Sequence, residues 1–473
     1  VEKFESVIPW ELRQKYDLPP LSDAYRIVHA PKNKTELSGA SERIALEEYF
    51  VLLSAFKLVK GDAQEARINR YSVTERQVAA FEKRFPFAFT AGQQAAVRAI
   101  YDNVTGPVRM NRLLQGDVGS GKTAVALTGM YMALASGYQT AYLSPTEVLA
   151  AQNYALLQKI FPEYRVGYLA GGSTAKEKRE LKAAIHAGEV DIVCGTHAVL
   201  QSDVHFARLA FCVCDEQHRF GVAQRSVLSE KGDSPDMLVM SATPIPRTLS
   251  LVFYGDLDVT TITDKPLDRL PISTSIIPAF KYDDMLAYIR SETKKGRQAY
   301  FVCAKIDDDE GDVTSVTELW EELRNRLPDV RFALLHGRMK DKEKSAVMTA
   351  FKNREYDCLV STTVIEVGVD VPNATIMVIM NAERFGLSQL HQLRGRVGRG
   401  SEKSWCFLMI GSDSETARER LNIFKNTSDG FALAEKDLEL RGSGDFLGTR
   451  QSGKFLTDVR NLRYSTQVIF TAK

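Results

Sequence analysis

The sequence predicts an α/β protein with two parallel-sheet lobes in tandem, an N-terminal helical segment and a helical C-terminal appendix. From about residue 84 to 265, short apolar runs (TAYLSP, VDIVCGT, LAFCVCDE and DMLVMSAT) alternate with helical stretches such as AVALTGMYMALASG. A second series starts near residue 270 and contains RQAYFVCAK, RFALLHG, YDCLVSTT, TIMVIMNA and KSWCFLMI. Strands that alternate with helices are typical of a parallel sheet with helices on both faces. Two such series therefore predict two lobes of similar size.

The composition is that of a globular chain long enough for two or three domains. Of the 473 residues, 26% are charged and 44% hydrophobic, and the net charge of +1 means that any nucleic-acid surface must be a local basic patch. The six cysteines form no C-x-x-C pair and lie mostly in apolar runs, which favours buried reduced thiols over a zinc site. No apolar run approaches the roughly 18 residues of a membrane span, so we expect no membrane partner.

Changes in this pattern predict the domain boundaries. Residues 1–80 form an N-terminal segment, whose apolar positions after Ser41 follow helical spacing and predict a long amphipathic helix with Ser41 as its N-cap. Residues 81–267 and 268–412 are the two lobes, separated by the proline-containing linker DKPLDRLPIS. Residues 413–473 return to a helical pattern and then to the glycine-rich RGSGDFLGTRQSGK.

A phosphate-binding loop stands between the first strand and the next helix of the first lobe. The segment GDVGSGKT fits G-x-x-x-x-G-K-[ST], in which backbone N–H groups close around phosphate oxygens at a helix N-terminus. Lys122 would reach the β and γ phosphates, and Thr123 would hold Mg²⁺. The predicted nucleotide-binding residues of this loop are Gly116, Gly119, Ser120, Gly121, Lys122 and Thr123.

Polar residues at other strand ends supply the remaining chemistry of hydrolysis. The strand in LAFCVCDEQHRFG ends in Asp215, which would hold Mg²⁺, and Glu216, which would polarise the attacking water. In SATPIPRT, Ser241 and Thr243 could sense the γ-phosphate and signal to the other lobe. Gln93 precedes a helix and could read adenine through its two-sided amide.

Three arginines in QLHQLRGRVGRG indicate a reason for the second lobe. Arg394, Arg396 and Arg399 lie within six residues, and the intervening glycines allow a compact loop to project its arginines into a neighbouring crevice. Two arginines that reach a γ-phosphate across an interface would act as arginine fingers. Nucleotide held by one lobe and completed by the other would close the lobes, and hydrolysis would release them, as in a motor.

These motifs together resemble those of the superfamily 2 helicases. GDVGSGKT, SPTEVLAAQ, DEQHRFG, SATPIPRT, STTVIEVGVDVPNAT and HQLRGRVGR occur in the order of that superfamily. The set is similar to RecG and the transcription-repair coupling translocases, and DEQHRFGVAQR with the tail DLELRGSGDFLGTRQSG is most similar to the RecG family. The resemblance covers nearly the whole chain, since LPPLSDAYRIVHAP and SERIALEEYF also match.

The resemblance implies roles for individual residues. Lys122, Asp215, Glu216, Arg396 and Arg399 would be catalytic, with Arg396 and Arg399 as the arginine fingers. The tail would form a helical hairpin and a loop that couples lobe closure to DNA movement. The residues implied in DNA binding or coupling are Pro145, Thr146, Thr196, His197, Ser241, Thr243, His336, Gly337, Arg338, Thr362, Thr363, Gln392, Arg441 and Gln451. Loops rich in Ser, Thr and Gly can hold phosphates without reading bases, which suits movement along any sequence.

The family implies two RecA-like lobes and an ATP-dependent translocase on double-stranded DNA. Such an enzyme would reverse stalled replication forks and migrate Holliday junctions in recombination and repair. The resemblance also implies ATP and Mg²⁺ as cofactors, branched and duplex DNA and a single-stranded-DNA-binding protein as partners, a monomer, and a place in the bacterial cytoplasm at the nucleoid. Members carry an N-terminal wedge domain, whereas only a few residues here precede VIPWELRQKY. We therefore expect a motor part without its wedge and with reduced junction selectivity.

Three other interpretations remain open from the sequence. A transcription-repair coupling translocase shares the motor and tail but usually has Phe where Ser120 stands. An ATP-gated DNA scaffold without catalysis is disfavoured by Lys122, Glu216 and the two arginines. An RNA helicase is disfavoured because the acidic motif is DEQH and not the Asp-Glu-Ala-Asp of most RNA unwinders.

Overall fold

A computed structural model describes residues 5–62, 66–171, 174–216, 227–228, 231–242, 257–264, 270–304, 309–362, 371–400, 402–411 and 414–441. The chain divides into two compact units. One unit consists of residues 1–65, 245–259 and 434–473, and the other consists of residues 66–244 and 260–433. Within the described ranges, no helix is long and apolar enough to cross a membrane.

The described residues contain fourteen α-helices and thirteen strands. The helices are α1 Trp10–Lys15, α2 Leu21–His29, α3 Lys34–Asp62, α4 Glu75–Glu82, α5 Ala91–Val104, α6 Lys122–Ala135, α7 Glu147–Ile160, α8 Ala175–His186, α9 Tyr282–Lys294, α10 Asp309–Arg326, α11 Asp341–Lys352, α12 Leu387–Arg394, α13 Glu415–Asn426 and α14 Gly430–Arg441. The strands are β1 Asn111–Gly116, β2 Gln139–Leu143, β3 Val166–Leu169, β4 Ile192–Gly195, β5 Leu209–Cys214, β6 Asp236–Ser241, β7 Asp258–Ile262, β8 Ser273–Ile277, β9 Gln298–Val302, β10 Phe332–Leu335, β11 Cys358–Ser361, β12 Ala374–Ile379 and β13 Trp405–Met409.

The strands form two sheets, each at the centre of a lobe. The first sheet has the order β3-β4-β2-β5-β6-β1-β7 and the second has the order β10-β11-β9-β12-β13-β8. The pairings from β3 to β1 are parallel, and so are the five pairings of the second sheet. The predicted fold class, with two parallel-sheet lobes, is confirmed. We call the first sheet with its helices lobe 1 and the second sheet with its helices lobe 2.

The central strands are apolar because helices cover both of their faces. Every residue of β2, β5 and β6 is buried, as is every residue of β9 and β12. In lobe 1 the apolar helix α6 packs so closely on β5 that a Cβ added to Gly129 would lie 2.7 Å from Cζ of Phe211. Burial on both sheet faces explains why these strands read as continuous apolar runs without alternation.

A buried glutamine begins the corresponding strand in each lobe. In lobe 1, the Gln139 amide donates to the carbonyls of Ile185 and Val190, and its Oε1 accepts from two backbone N–H groups. In lobe 2, the Gln298 amide donates to the carbonyls of Phe351 and Tyr356. Each amide therefore satisfies backbone groups where a helix meets the sheet, which buried polar groups require.

A buried arginine fixes the segment before α4 to the first sheet. Arg67 forms an ion pair with Asp236, whose other oxygen accepts from the backbone N–H of Met110, 2.6 Å away. Arg67 also donates to the carbonyl of Gly106 through Nε and to the carbonyls of Asn103 and Val108 through Nη2. Arg67 and the segment that leads into β1 are thereby tied to β6.

In the N-terminal unit, the predicted start of the long helix is wrong. Helix α3 begins at Lys34, seven residues before Ser41, because the Asn33 side chain accepts from the Glu36 backbone N–H at 2.8 Å. Asn is as good an N-cap as Ser, and the polar first turns of α3 gave no hydrophobic signal. Within this unit Arg43 donates to Glu47 at 2.7 Å and to the carbonyl of Pro19 at 2.9 Å, so α3 anchors the preceding segment.

Candidate functional site

The phosphate loop Gly116–Thr123 joins β1 to α6, as predicted, at the carboxyl edge of the first sheet. Gly119 and Gly121 have φ angles of +79° and +81°, which L side chains rarely adopt. A Cβ on Gly116 would lie 2.5 Å from Oγ of Ser120. The buried Ser120 hydroxyl has no hydrogen-bond partner among the described residues. The loop thus needs glycine at positions 119 and 121 for its conformation and at position 116 because Ser120 leaves no room for a side chain there.

Lys122 lies across this loop. Its ammonium donates to the carbonyl of Gly116 at 2.8 Å and to that of Asp117 at 2.9 Å. Burial lowers the pKa of Lys122, whereas the carboxylates of Glu216, Asp215 and Asp117 oppose that effect. A cation held in place by neutral carbonyls is ready to bind the phosphates of a nucleotide, which are stronger acceptors.

Gln93 packs against the same loop. Its Nε2 donates to the carbonyl of Ser120 at 2.8 Å, and its Oε1 accepts from the N–H of Thr90 at 2.9 Å as part of the capping box of α5. A Cβ on Gly121 would overlap this Nε2. Gln93 therefore holds the phosphate loop against the N-terminus of α5, and its predicted contact with adenine stays a prediction.

The acidic pair follows β5 beside the phosphate loop. The Asp215 N–H donates to the carbonyl of Leu143 at 2.9 Å, and the hydroxyl of Tyr142 donates to Asp215 Oδ2 at 3.3 Å. Burial, and then the charge of Glu216, raise the pKa of Asp215 to about 6. Glu216 has a φ of +54°, a conformation that costs a non-glycine residue on the order of 1 kcal/mol. Backbone strain and a perturbed carboxyl are both typical of functional sites.

The donors at this edge fit Mg²⁺. Asp215 offers a carboxylate and Thr123 a hydroxyl, the hard oxygen ligands that Mg²⁺ prefers. Within the described residues, no group of three or more His, Cys, Asp or Glu side chains could hold a metal ion. Mg²⁺ normally takes only one or two protein ligands and completes its shell with phosphates and water. These two donors therefore suit an ion that enters with a nucleotide.

The raised pKa of Asp215 means that its ionised carboxylate destabilises the folded, metal-free protein. A carboxyl with a folded pKa near 6 and an ordinary value of 3.8 favours folding when protonated, so its contribution is present below about pH 4 and is lost as the pH rises through 6. At pH 8 we expect the Asp215→Asn variant to unfold at a higher temperature than the wild type. Its free energy of unfolding should be larger by up to about 3 kcal/mol.

Thermal unfolding in EDTA without nucleotide, recorded at pH 4 and pH 8, measures the effect. The two proteins should unfold alike at pH 4 and differ at pH 8. Equal unfolding temperatures at both values would show that Asp215 ionises without a cost in the folded protein.

Lobe 2 brings the segment Arg394–Arg399 onto the phosphate loop. His391, on α12, places its Nε2 2.5 Å from Oδ1 of Asp117. At the end of the same helix, a Cβ on Gly395 would lie 2.9 Å from the Cβ of Val118, so only glycine allows this approach. Lobe 2 therefore contacts the phosphate loop of lobe 1 through His391 and Gly395, and the role of Arg396 and Arg399 as arginine fingers stays a prediction.

The two predicted arginine fingers differ in their surroundings. Arg396 is 9% exposed, whereas Arg399 is partly exposed and donates through Nε to the carbonyl of Gly395 at 3.3 Å. The positive charge of Arg399 also lowers the pKa of Lys122. Since Arg399 belongs to lobe 2 and Lys122 to lobe 1, a guanidinium from one lobe acts electrostatically at the phosphate loop of the other.

The predicted DNA-contact residues occupy corresponding sheet edges in the two lobes. Thr196 follows β4, and its N–H donates to the carbonyl of Leu169 at 3.3 Å; Thr362 follows β11 and donates to Leu335 at 3.4 Å. Both threonines are buried.

The other predicted DNA-contact residues of the described regions differ in exposure. Thr146 caps α7, with Oγ1 accepting from the Leu149 N–H, and Ser241 is buried at the end of β6. His197, Gly337 and Arg338 are exposed. Pro145, His336 and Gln392 are partly exposed. Burial lowers the pKa of His336, and the charge of Arg338 adds to this effect. Contact with DNA stays a prediction for all of these residues.

Other predicted residues lie where the structure gives no description. Thr243, Thr363 and Gln451 lie outside the described residues. Arg441 ends α14, and its side chain is not described. Helices α13 and α14 are the described part of the predicted helical appendix.

Sequence reasoning missed the two residues that join the lobes most directly. His391 is followed by more conspicuous arginines, and Asp117 occupies a variable position of the phosphate-loop pattern. Arg394 differs from the other two arginines, because its guanidinium donates to the carbonyls of Phe424 and Thr427. The available signal was the i, i+3 spacing of His391 and Arg394, which places both on one helix face.

Two family models match the regions that contain this site. Residues 90–252 match the family model described as DEAD/DEAH box helicase, and residues 281–401 match that of the helicase conserved C-terminal domain. These two regions contain the phosphate loop, the acidic pair and the arginine segment.

Relatives match along nearly the whole chain. It is 45% identical to the ATP-dependent DNA helicase RecG of Streptococcus pneumoniae over 95% of this chain and 67% of that protein. It is 43% identical to RecG of Bacillus subtilis over 98% of this chain and 69% of that protein. A solved structure of RecG bound to a three-way DNA junction superposes with a TM-score of 0.79 at 41% identity, over 94% of this chain and 59% of that one. The chain thus spans between 59% and 69% of the length of these three relatives. The chain belongs to the family of the ATP-dependent DNA helicase RecG.

Proposed function

We propose that the chain is the ATP-driven motor of a double-stranded DNA translocase that remodels branched DNA, by reversing stalled forks and migrating Holliday junctions. The observation that carries the proposal is the seating of α12 of lobe 2 on the phosphate loop of lobe 1, through His391 and Gly395. A nucleotide site to which both lobes contribute couples hydrolysis to their relative movement. The relative whose structure contains a three-way DNA junction supports the choice of substrate.

The residues of the site have separable tasks. Lys122 binds and neutralises the phosphates, and Glu216 orients and polarises the attacking water. Asp215 and Thr123 would hold Mg²⁺, which neutralises charge on the phosphate oxygens when it is bound. Arg399 stabilises the charge that develops in the transition state.

Further parts of the proposal rest on the family. We propose that residues 1–80 lead into lobe 1 (81–267), lobe 2 (268–412) and a hairpin with a translocation motif (413–473). We propose a monomer that acts at the bacterial nucleoid with a single-stranded-DNA-binding protein. The exposed Arg338 beside His336, at the carboxyl edge of the second sheet, is a cation available to the phosphate backbone.

The test is the stimulation of ATP hydrolysis by nucleic acids. Forked DNA and linear duplex should each raise turnover by about tenfold or more, and RNA of the same length should not. The Lys122→Ala variant should lose this activity, and its unfolding temperature should show that it is folded. Binding of ATP and DNA without turnover would favour the ATP-gated scaffold, and stimulation by RNA alone would favour an RNA helicase.

A further inference from the structure

A short chain of hydrogen bonds connects the two lobes beside the phosphates' expected position. His391 is 5% exposed, with Nε2 2.5 Å from Asp117 Oδ1 of lobe 1 and Nδ1 2.9 Å from Nη2 of Arg394. Arg394 in turn donates to the carbonyls of Phe424 and Thr427 at the end of α13. This series of hydrogen bonds therefore runs from the end of α13 in lobe 2 to the phosphate loop of lobe 1.

The partners determine the proton position on His391. A guanidinium only donates hydrogen bonds, so Nδ1 of His391 accepts from Arg394 and carries no proton. The proton of the neutral ring is then on Nε2, which donates it to the Asp117 carboxylate. A neutral ring fixed between a carboxylate and a guanidinium is oriented from both sides.

Asp117 connects His391 to other residues of the phosphate loop. Its Oδ1 also accepts from the Val118 N–H at 2.6 Å, and its backbone carbonyl accepts from Lys122 Nζ at 2.9 Å and from the Ser120 N–H at 3.1 Å. A cavity of about 270 Å³ adjoins these groups and is lined by residues of both lobes, including Asp117, Ser120 and His391. Displacement of Asp117 would therefore move the residues around Lys122.

We propose that His391 is a positioning residue for ATP turnover, which aligns the arginine segment of lobe 2 with the phosphate loop through Asp117. The inference rests on the proposed ATPase activity. His391 does not contact the reacting atoms itself. It fixes the position of Arg399 relative to Lys122. Loss of alignment lowers the rate of chemistry more than the binding of nucleotide, because Lys122 and the loop belong to lobe 1 alone.

The test compares His391→Leu with His391→Gln in DNA-stimulated ATP hydrolysis. Glutamine can donate to Asp117 and accept from Arg394, whereas leucine can do neither. We expect His391→Leu to lower kcat by about 30-fold with less than about threefold change in ATP affinity, and His391→Gln to keep kcat within about threefold of the wild type. ATP affinity is measured with a fluorescent ATP analogue, and unfolding temperature is recorded for both variants.

A double-mutant cycle with Asp117→Ala tests the shared contact. Because both residues act through one hydrogen bond, the double variant should be little slower than either single variant. If His391→Leu does not fold, since it removes the ring hydrogen bond to the partly buried Asp117 carboxylate, the double variant that also lacks the carboxylate provides the comparison with His391→Gln.

Several results would overturn the inference. The inference is wrong if His391→Leu hydrolyses ATP as fast as an active wild-type protein. It is also wrong if His391→Gln has a kcat as low as that of His391→Leu. Fully additive effects of the two substitutions would do the same. A wild-type protein without DNA-stimulated turnover would overturn the proposed function and this inference together.

Discussion

Replacement of Glu216 by Gln is expected to lower ATP turnover by about 10²–10⁴-fold while ATP binding stays nearly unchanged. The amide keeps the size and shape of the side chain but removes the base that polarises water. Glu216 follows the buried strand β5 in a left-handed conformation with a φ of +54°. Glu216 lies beside Lys122 and Asp215, and its strained backbone is explained if it directs the carboxylate at the reacting water.

Single-turnover hydrolysis and equilibrium ATP binding separate the two effects. Glu163→Gln is a matched control, because Glu163 also lies in lobe 1 but pairs with Arg84 ahead of β3, at the opposite edge of the sheet. The control should hydrolyse ATP like the wild type. A Glu216→Gln variant that turns over within a few-fold of the wild type would remove Glu216 from the mechanism and revive the scaffold interpretation.

The parts of the fold that were predictable are those with local causes. Continuous apolar strands, helices between them and the glycines of the phosphate loop are each specified within about a dozen residues, and parallel strands then bring Lys122, Asp215 and Ser241 to one edge. The predicted start of α3 is wrong because two good N-caps, Asn33 and Ser41, compete in one polar stretch.

Contacts between distant residues could not be predicted in this way. His391 and Asp117 are 274 residues apart, and Arg67 and Asp236 are 169 apart. Their pairing depends on how sheets and lobes pack, which no short pattern contains. Gln139 and Gln298 show the same limit, since a glutamine that begins an apolar strand gives no sign that its amide will satisfy helix carbonyls.

Replacement of Arg399 by Ala is expected to lower kcat by about 10³-fold or more. Arg399 belongs to lobe 2, and yet its charge already lowers the pKa of Lys122 in lobe 1. In the transition state the phosphoryl oxygens carry the negative charge that a guanidinium at this place would stabilise. Arg399→Lys should restore only part of the rate, because a lysine cannot donate the planar pair of hydrogen bonds.

Binding of ADP with aluminium fluoride, a mimic of the transferring phosphoryl group, isolates this role. Arg399→Ala should weaken that complex by far more than it weakens ATP binding, since the arginine acts on charge that is fully developed only in the transition state. Arg331→Ala is the matched control, because Arg331 precedes β10 at the amino edge of the second sheet and pairs with Asp357. Equal weakening of both complexes by Arg399→Ala would place Arg399 in ground-state binding, and the second lobe would then close on the nucleotide without contributing to its hydrolysis.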